Sequence, residues 1–210
     1  MKAENVLEIL DIFSEKIIKE KDYLTELDAA TGDSDHGINM EKGILAYKEK
    51  ATDFKNESLQ NIFKNFGMIV MSKVGGASGA LYGTAFIKSA KAVGNADSID
   101  NKLLLTILEE ALAGIKMRGR AVVGEKTLVD TLEPAVECYR THLESNCEIE
   151  KLMTEFKESA KKGMESTKDM VAKKGRAHYQ GENSRGHLDP GAVSLYYLLE
   201  IIADYVLNKR

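Results

Sequence analysis

Apolar residues recur at helical spacing along almost the whole chain, and no stretch shows the apolar–polar alternation of a strand. The only short β-branched run is Val122-Val123. A chain with this pattern has to bury helix against helix. Val6, Leu10, Phe13, Ile17 and Leu24 mark one face of a first helix predicted over about 3–27. A second is expected from Ile38 to about Lys50. Ser58 caps a third, which turns Leu59, Ile62, Phe63, Phe66 and Val70 inward. The glycine-rich "GGASG" at 75–79 reads as the turn that ends it, and a fourth helix follows over about 80–93.

Asp100 caps a fifth helix with Leu104, Ile107, Leu108 and Ile115 inward. The sixth runs from Thr127 to about His142, with Pro134 either kinking it or marking a later helix start. The seventh, about 148–173, carries Leu152, Met153, Phe156, Met164 and Met170. In the last, Asp189 suits the N-cap and Pro190 the first helical position, where a missing N–H costs nothing. Its body, "AVSLYYLLEIIADYVL", is apolar on nearly all sides, as in a helix surrounded by protein.

Eight helices and no sheet are therefore expected. The 210 residues are 43% hydrophobic, enough for a sizeable core, and no stretch has the composition of a linker. A single all-α domain over 1–210 is the economical reading. Short connections make consecutive helices antiparallel. The loops after helices 1, 3, 5 and 7 then lie at one end. They read "TGDSDHG", "VGGASGA", "RGRAVVGEKT" and "KGRAHYQGENSRGHLDPG", and they hold most of the glycines and unusual polar residues. Chemistry is expected at that rim.

The formal net charge of −4 gives no electrostatic footprint for nucleic acid. No run approaches the ~18 apolar residues of a membrane span. The N-terminus lacks an apolar targeting segment, and the two cysteines form no metal or redox motif. A soluble cytoplasmic protein is expected.

The first of these loops crowds like charges. "LDAATGDSDHGINM", residues 27–40, holds Asp28, Asp33 and Asp35. At about 100° per residue a helix puts Asp28 and Asp35 on one side and turns Asp33 away. Breaks at Gly32 and Gly37 instead suggest that Asp28 ends a helix and the chain then reverses. Convergent carboxylates repel strongly unless a cation neutralises them, and an all-oxygen set favours a hard metal. An EF-hand fails: with Asp33 as position 1, position 6 is Ile38 rather than Gly and position 12 is Ile44 rather than Glu.

"GGASG" ahead of a helix offers free N–H groups to an anion. "GRAVVGEKT" is no P-loop, because Glu125 separates Gly124 from Lys126 and no strand precedes it. Arg176, in a glycine-bounded loop, is the cation best placed for a phosphate. Lys126 has two readings, the same role or a surface lysine. His178 and His187 lack metal-ligand spacing, and His142, on a helix face, reads as structural.

Taken together and in order, "LDAATGDSDHGINM", "GGASGALYGTAF", "GEKTLVDTLEPA" and "GRAHYQGENSRGHLDPGA" resemble the nucleotide-binding L subunits of dihydroxyacetone kinases. The aspartate motif of that family usually reads GDGDHG, and here Ser34 replaces the middle glycine. Leu128 stands where many relatives place Met against the adenine.

The resemblance implies a closed antiparallel up-and-down barrel of eight helices with the nucleotide at one rim. It implies that Asp28, Asp33 and Asp35 bind two Mg²⁺ ions bridging the phosphates of a tightly held ADP or ATP. His36, Ile38 and Asn39 would fix the nucleotide, and Gly76, Ala77, Ser78 and Gly79 would contact phosphate. Gly119 and Leu128 would border the base. Arg176 would reach the phosphates, and Asp189, Pro190 and Gly191 would close the site. The phosphotransferase-system form of the family has separate subunits. There the K subunit holds dihydroxyacetone and a multiphosphoryl M subunit rephosphorylates the bound ADP. No general base is assigned to this chain. Competing readings are a fatty-acid-kinase-like nucleotide domain and a nucleotide-loaded module that regulates a transcription activator.

Overall fold

The computed structural model describes residues 1–208, so the expected domain over 1–210 extends two residues outside them. The described residues form nine α-helices and three 3-10 turns, with no strand. The all-α class therefore holds, while the count of eight is corrected to nine. The difference lies in the first predicted helix, which divides at Glu20 into α1 (Ala3–Lys19) and α2 (Lys21–Ala29).

The chain clusters into two compact units. Unit 1 comprises 1–21 and 38–120, and unit 2 comprises 22–37 and 121–210. Unit 1 contains α1, most of α3 (His36–Lys48), a 3-10 turn at Ala51–Phe54, α4 (Leu59–Lys73), α5 (Gly76–Val93) and α6 (Asn101–Gly119). Ser58 caps α4 by accepting from Asn61 N–H, and Asp100 caps α6 by accepting from Leu103 N–H at 2.7 Å. Helices α4, α5 and α6 pack on one another in sequence order. The α4–α5 approach is close enough that a Cβ on Gly83 would lie 2.5 Å from Met71 Cβ. The core is aromatic: Tyr47 meets Phe54 and Phe66 edge-on, and Phe66 lies 4.5 Å from Phe86 between ring centroids.

The "GGASG" stretch is not a terminating turn. The break falls at Val74–Gly75, and the glycines form the first turn of α5. A positive φ of 64° at Gly76, which favours glycine, lets the helix start there.

Unit 2 contains α2, the aspartate loop, α7 (Leu128–Glu144), α8 (Ile149–Ser166), a 3-10 turn at Thr167–Asp169, a strap over 170–189 and α9 (Pro190–Asn208). The predicted seventh helix is shortened: it stops at Ser166, and residues 170–173 are non-helical. The strap contains the third 3-10 segment, Arg176–Ser184, kinked at Gly181. Helix α7 continues through Pro134. Thr127 and Asp130 form a capping box at its start, since Asp130 Oδ2 accepts from Thr127 N–H at 2.7 Å. Helix α9 is long and apolar enough to cross a membrane by length and composition, which corrects the expectation that no run approaches that limit. In unit 2 it packs on α7 and α8 and buries residues on all sides, including Val193, Leu195, Tyr196, Leu199 and Ala203.

Candidate metal centre

Asp28 sits in the last turn of α2 and is 9% exposed. Its backbone carbonyl accepts the N–H groups of Thr31 and Gly32, which turns the chain back at once. Its Oδ2 then accepts the N–H groups of Asp35 at 2.8 Å and His36 at 3.1 Å. A Cβ at Gly32 would lie 2.1 Å from Asp28 Oδ1, so only glycine closes this loop around that carboxylate. Ser34 has φ 62°, in the left-handed region. The family's usual glycine adopts that conformation without cost, whereas Ser34 bears the strain.

One carboxylate oxygen from each of Asp28, Asp33 and Asp35 lies within 4.8 Å of the others. The donors are all oxygen, one acid is buried, and two are open to further ligands. Such a set fits a hard divalent cation that keeps positions for water or phosphate. Arg176, at the start of the strap's 3-10 segment, brings its Nε within 2.6 Å of Asp33 Oδ2 while its side chain remains 72% exposed. The cation picked out as a phosphate ligand thus stands on the edge of the carboxylate cluster.

His36 is buried, and its Nε2 lies 3.0 Å from Ser194 Oγ on α9. Ser194 Oγ donates to Gly191 O, so it accepts from the imidazole. Burial lowers the His36 pKa to about 4, against the opposing pull of Asp35, and the ring is neutral near pH 7. Asp189 caps α9 by accepting from Ala192 N–H at 2.7 Å, and Pro190 takes the first helical position as expected. Burial raises the Asp189 carboxyl to about 7, although the Ala192 N–H and Lys126 both favour its charged form. Leu128 opens α7 and is buried; its Cδ2 would lie 3.7 Å from a Cβ on Gly191.

Unit 2 therefore unites three of the four glycine-bearing loops. The aspartate loop meets the strap through Asp33–Arg176 and meets α9 through His36–Ser194. The 121–127 loop meets the strap through Lys173 N–H to Glu125 O and through Lys174–Glu125 at 3.5 Å.

The remaining residues expected to contact nucleotide lie in unit 1. Ile38 is 51% exposed. Asn39 lies against the start of α5, where a Cβ on Gly75 would fall 2.5 Å from its Oδ1. The N-cap of α5 is Gly75, which has no side chain to cap it, and Gly76 and Ala77 are exposed, with Ser78 half-buried and Gly79 buried beside them. An uncapped, exposed helix start presents N–H groups suited to an anion. Gly119 is the last residue of α6.

Sequence reasoning missed several unit 2 residues. Lys126 is neither a surface residue nor free for phosphate: it is 1% exposed, and its Nζ donates to Thr167 O and His187 O. No sequence signal announces that burial. Ser194 could have been found as the one polar residue in "AVSLYYLL", and Asp130 as the acidic N3 partner of Thr127. His142 is structural, with Nδ1 2.9 Å from Cys138 O.

Fold and site define an all-helical protein with a cluster of three carboxylates beside an arginine. The chain belongs to the DAK2 domain family, whose model matches residues 30–204. It is 44% identical to the ADP-binding subunit DhaL of PEP-dependent dihydroxyacetone kinase 1 of Listeria innocua, over 88% of this chain and 87% of that one. It is 39% identical to the ADP-binding subunit DhaL of the PEP-dependent dihydroxyacetone kinase of Escherichia coli, over 92% and 90%. The C. freundii dihydroxyacetone kinase in complex with AMP-PNP and Mg²⁺ shares the fold at a TM-score of 0.70 and 22% identity, covering 95% of this chain. This chain spans 33% of the length of that kinase.

Proposed function

We propose that this chain is the ADP-binding subunit of a phosphoenolpyruvate-dependent dihydroxyacetone kinase, a phosphotransferase. The observation that carries the reading is the convergence of Asp28, Asp33 and Asp35 within 4.8 Å, with Arg176 on Asp33. The relatives' names supply the nucleotide and the dihydroxyacetone kinase system.

Asp28, Asp33 and Asp35 would hold two Mg²⁺ ions against the nucleotide phosphates. When bound, the ions supply neutralisation of phosphate charge during phosphoryl transfer. The rest falls to the chain's own groups. The Asp35 and His36 N–H groups fix the Asp28 carboxylate, so it keeps its aim whatever it binds. Arg176 provides a guanidinium at the rim of the cluster, suited to paired phosphate oxygens. Neutral His36 ties the loop to α9 without adding charge. Leu128 and Gly191 give a small apolar border for the base.

The nucleotide roles of Ile38, Asn39, Gly76 to Gly79 and Gly119 rest on the family resemblance and on the uncapped start of α5. Phosphoryl transfer needs positioning and charge more than a protein nucleophile, so the substrate hydroxyl and any base come from the K subunit, and the M subunit restores ATP from the bound ADP.

Purified protein should carry ADP and magnesium, released on denaturation and identified by mass spectrometry and metal analysis. Adding K and M subunits with phosphoenolpyruvate should phosphorylate dihydroxyacetone. Asp33→Ala should abolish nucleotide retention at unchanged helicity. Protein that neither carries ADP nor binds it with Mg²⁺ present would overturn the reading.

A further inference from the structure

Lys126 is among the largest fully buried side chains of the protein. It lies two residues after Gly124 (φ 89°), has φ 62° itself and directly precedes Thr127, the N-cap of α7. A lysine in the left-handed region is strained, and an ammonium removed from water is costly unless its donors are matched. Burial accordingly draws its pKa below the ordinary lysine value. Asp189, Asp169 and Asp130 face it as acids and Arg185 as a base.

Its partners show what this expense holds in place. Nζ donates to Thr167 O at 2.6 Å, at the end of α8, and to His187 O in the strap. The Oγ1 of the same Thr167 accepts from Asp189 N–H at 3.1 Å. One ammonium thus joins the start of α7, the end of α8 and the last residues of the strap. The strap is also fastened by Lys173 N–H to Glu125 O, the Lys174–Glu125 ion pair, Ala172 N–H to Ser184 Oγ, Gly186 N–H to Lys168 O and Arg185 to Asp169 O. All of these but the two to Glu125 lie within 167–189. Lys126 and Glu125 are the ties to the 121–127 loop. The strap carries Arg176 onto Asp33, and it ends in the Asp189 cap of the helix that holds Ser194 against His36.

We propose that Lys126 is a positioning residue for nucleotide retention: its buried ammonium fixes the strap so that Arg176 stays at the aspartate cluster. This rests on the ADP-subunit reading, and the experiment separates the two. Wild type, Lys126→Met, Lys126→Arg, Arg176→Ala and the double variant Lys126→Met/Arg176→Ala are loaded with labelled ADP and Mg²⁺. Label loss into excess unlabelled ADP is timed, and amide hydrogen exchange over 173–188 is followed in the same proteins without nucleotide. Lys126→Met should speed ADP loss about 10-fold or more, the scale of removing a ligand's supporting partner. It should raise exchange over 173–188 and leave the middle of α7 and α8 protected. Lys126→Arg should fall between, because a planar guanidinium does not fit the ammonium's place between two carbonyls. The double variant should lose ADP no faster than Arg176→Ala, because Lys126 acts through Arg176.

Unchanged ADP loss in Lys126→Met, or fully additive effects in the double variant, would overturn the proposal. If wild type retains no ADP, the ADP-subunit reading falls, and unchanged strap exchange in Lys126→Met then overturns the role of Lys126 separately. If Lys126→Met loses its helicity, Lys126→Arg decides: wild-type ADP loss together with wild-type exchange overturns the proposal.

Discussion

The two units are stabilised by different chemistry. Of the eleven buried polar or charged side chains among the described residues, unit 1 holds Ser14 and Ser89, and unit 2 holds the other nine. Unit 1 is an apolar packing of α4, α5 and α6 around Tyr47, Phe66 and Phe86. Unit 2 buries Asp28, His36, Lys126, Asp130 and Thr167 around a loop and a strap, and no buried side-chain nitrogen or oxygen among the described residues lacks a partner. Apolar packing is forgiving of direction, whereas buried hydrogen bonds fix groups to a few tenths of an ångström and are costly when half-made. Unit 2 carries that cost where charged groups must be aimed.

The largest contrast should come from Phe66→Ala in unit 1. Removing a ring that is 1% exposed should cost about 3–5 kcal/mol in urea denaturation. A loss under about 1 kcal/mol would mean that the aromatic cluster is not the stabilising element. Asp28→Asn tests the other unit. It keeps an acceptor for the Asp35 and His36 N–H groups and removes the charge. Mg²⁺ affinity by calorimetry should fall at least by the roughly 10–100-fold seen when a metal ligand's supporting partner is lost, with little change in stability. Large destabilisation without loss of metal affinity would reverse the assignment.

A smaller, favourable effect is expected at Ser34. Ser34→Gly relieves the left-handed strain at φ 62° and should stabilise the folded protein by about 1 kcal/mol in urea denaturation. Destabilisation would give the Ser34 side chain a positive role. The smallest effect concerns pH. Burial raises Asp189 from 3.8 to about 7, so the folded state holds a proton that the unfolded chain releases. The associated stability is present below about pH 4 and is lost as pH rises to about 7. In EDTA, the melting temperature of Asp189→Asn should therefore gain on that of wild type across this window. Parallel profiles would show that Lys126 keeps Asp189 charged.

Much of this was legible in the sequence wherever the signal is local. Helical spacing gave the class, and Ser58, Asp100, Asp189 and Pro190 act at the helix starts where their residue types suggested. The clustering of three aspartates in the first loop followed from charge and glycine spacing. Failures occurred where tertiary context overrides local preference. Glu20 has no breaker signature, yet it separates α1 from α2, which join different units. "GGASG" looks like a helix terminator but begins α5, because the break needed only Val74 and Gly75. Lys126 looks like an exposed first-turn lysine, and only the long-range carbonyls of Thr167 and His187 make its burial tolerable.

One further consequence concerns the order in which the molecule can come into being. His36 and Ser194 are 158 positions apart, and α2 with its aspartates belongs to the same unit as the C-terminal helices. During synthesis the acids emerge early with the N–H groups that hold Asp28, whereas Arg176, which pairs with Asp33, and Ser194, which holds His36, emerge much later. The aspartate loop must wait without those two long-range partners until nearly the whole chain is out. A chain that ends before the strap would carry the three acids without the Arg176 contact to Asp33 or the Ser194 contact to His36.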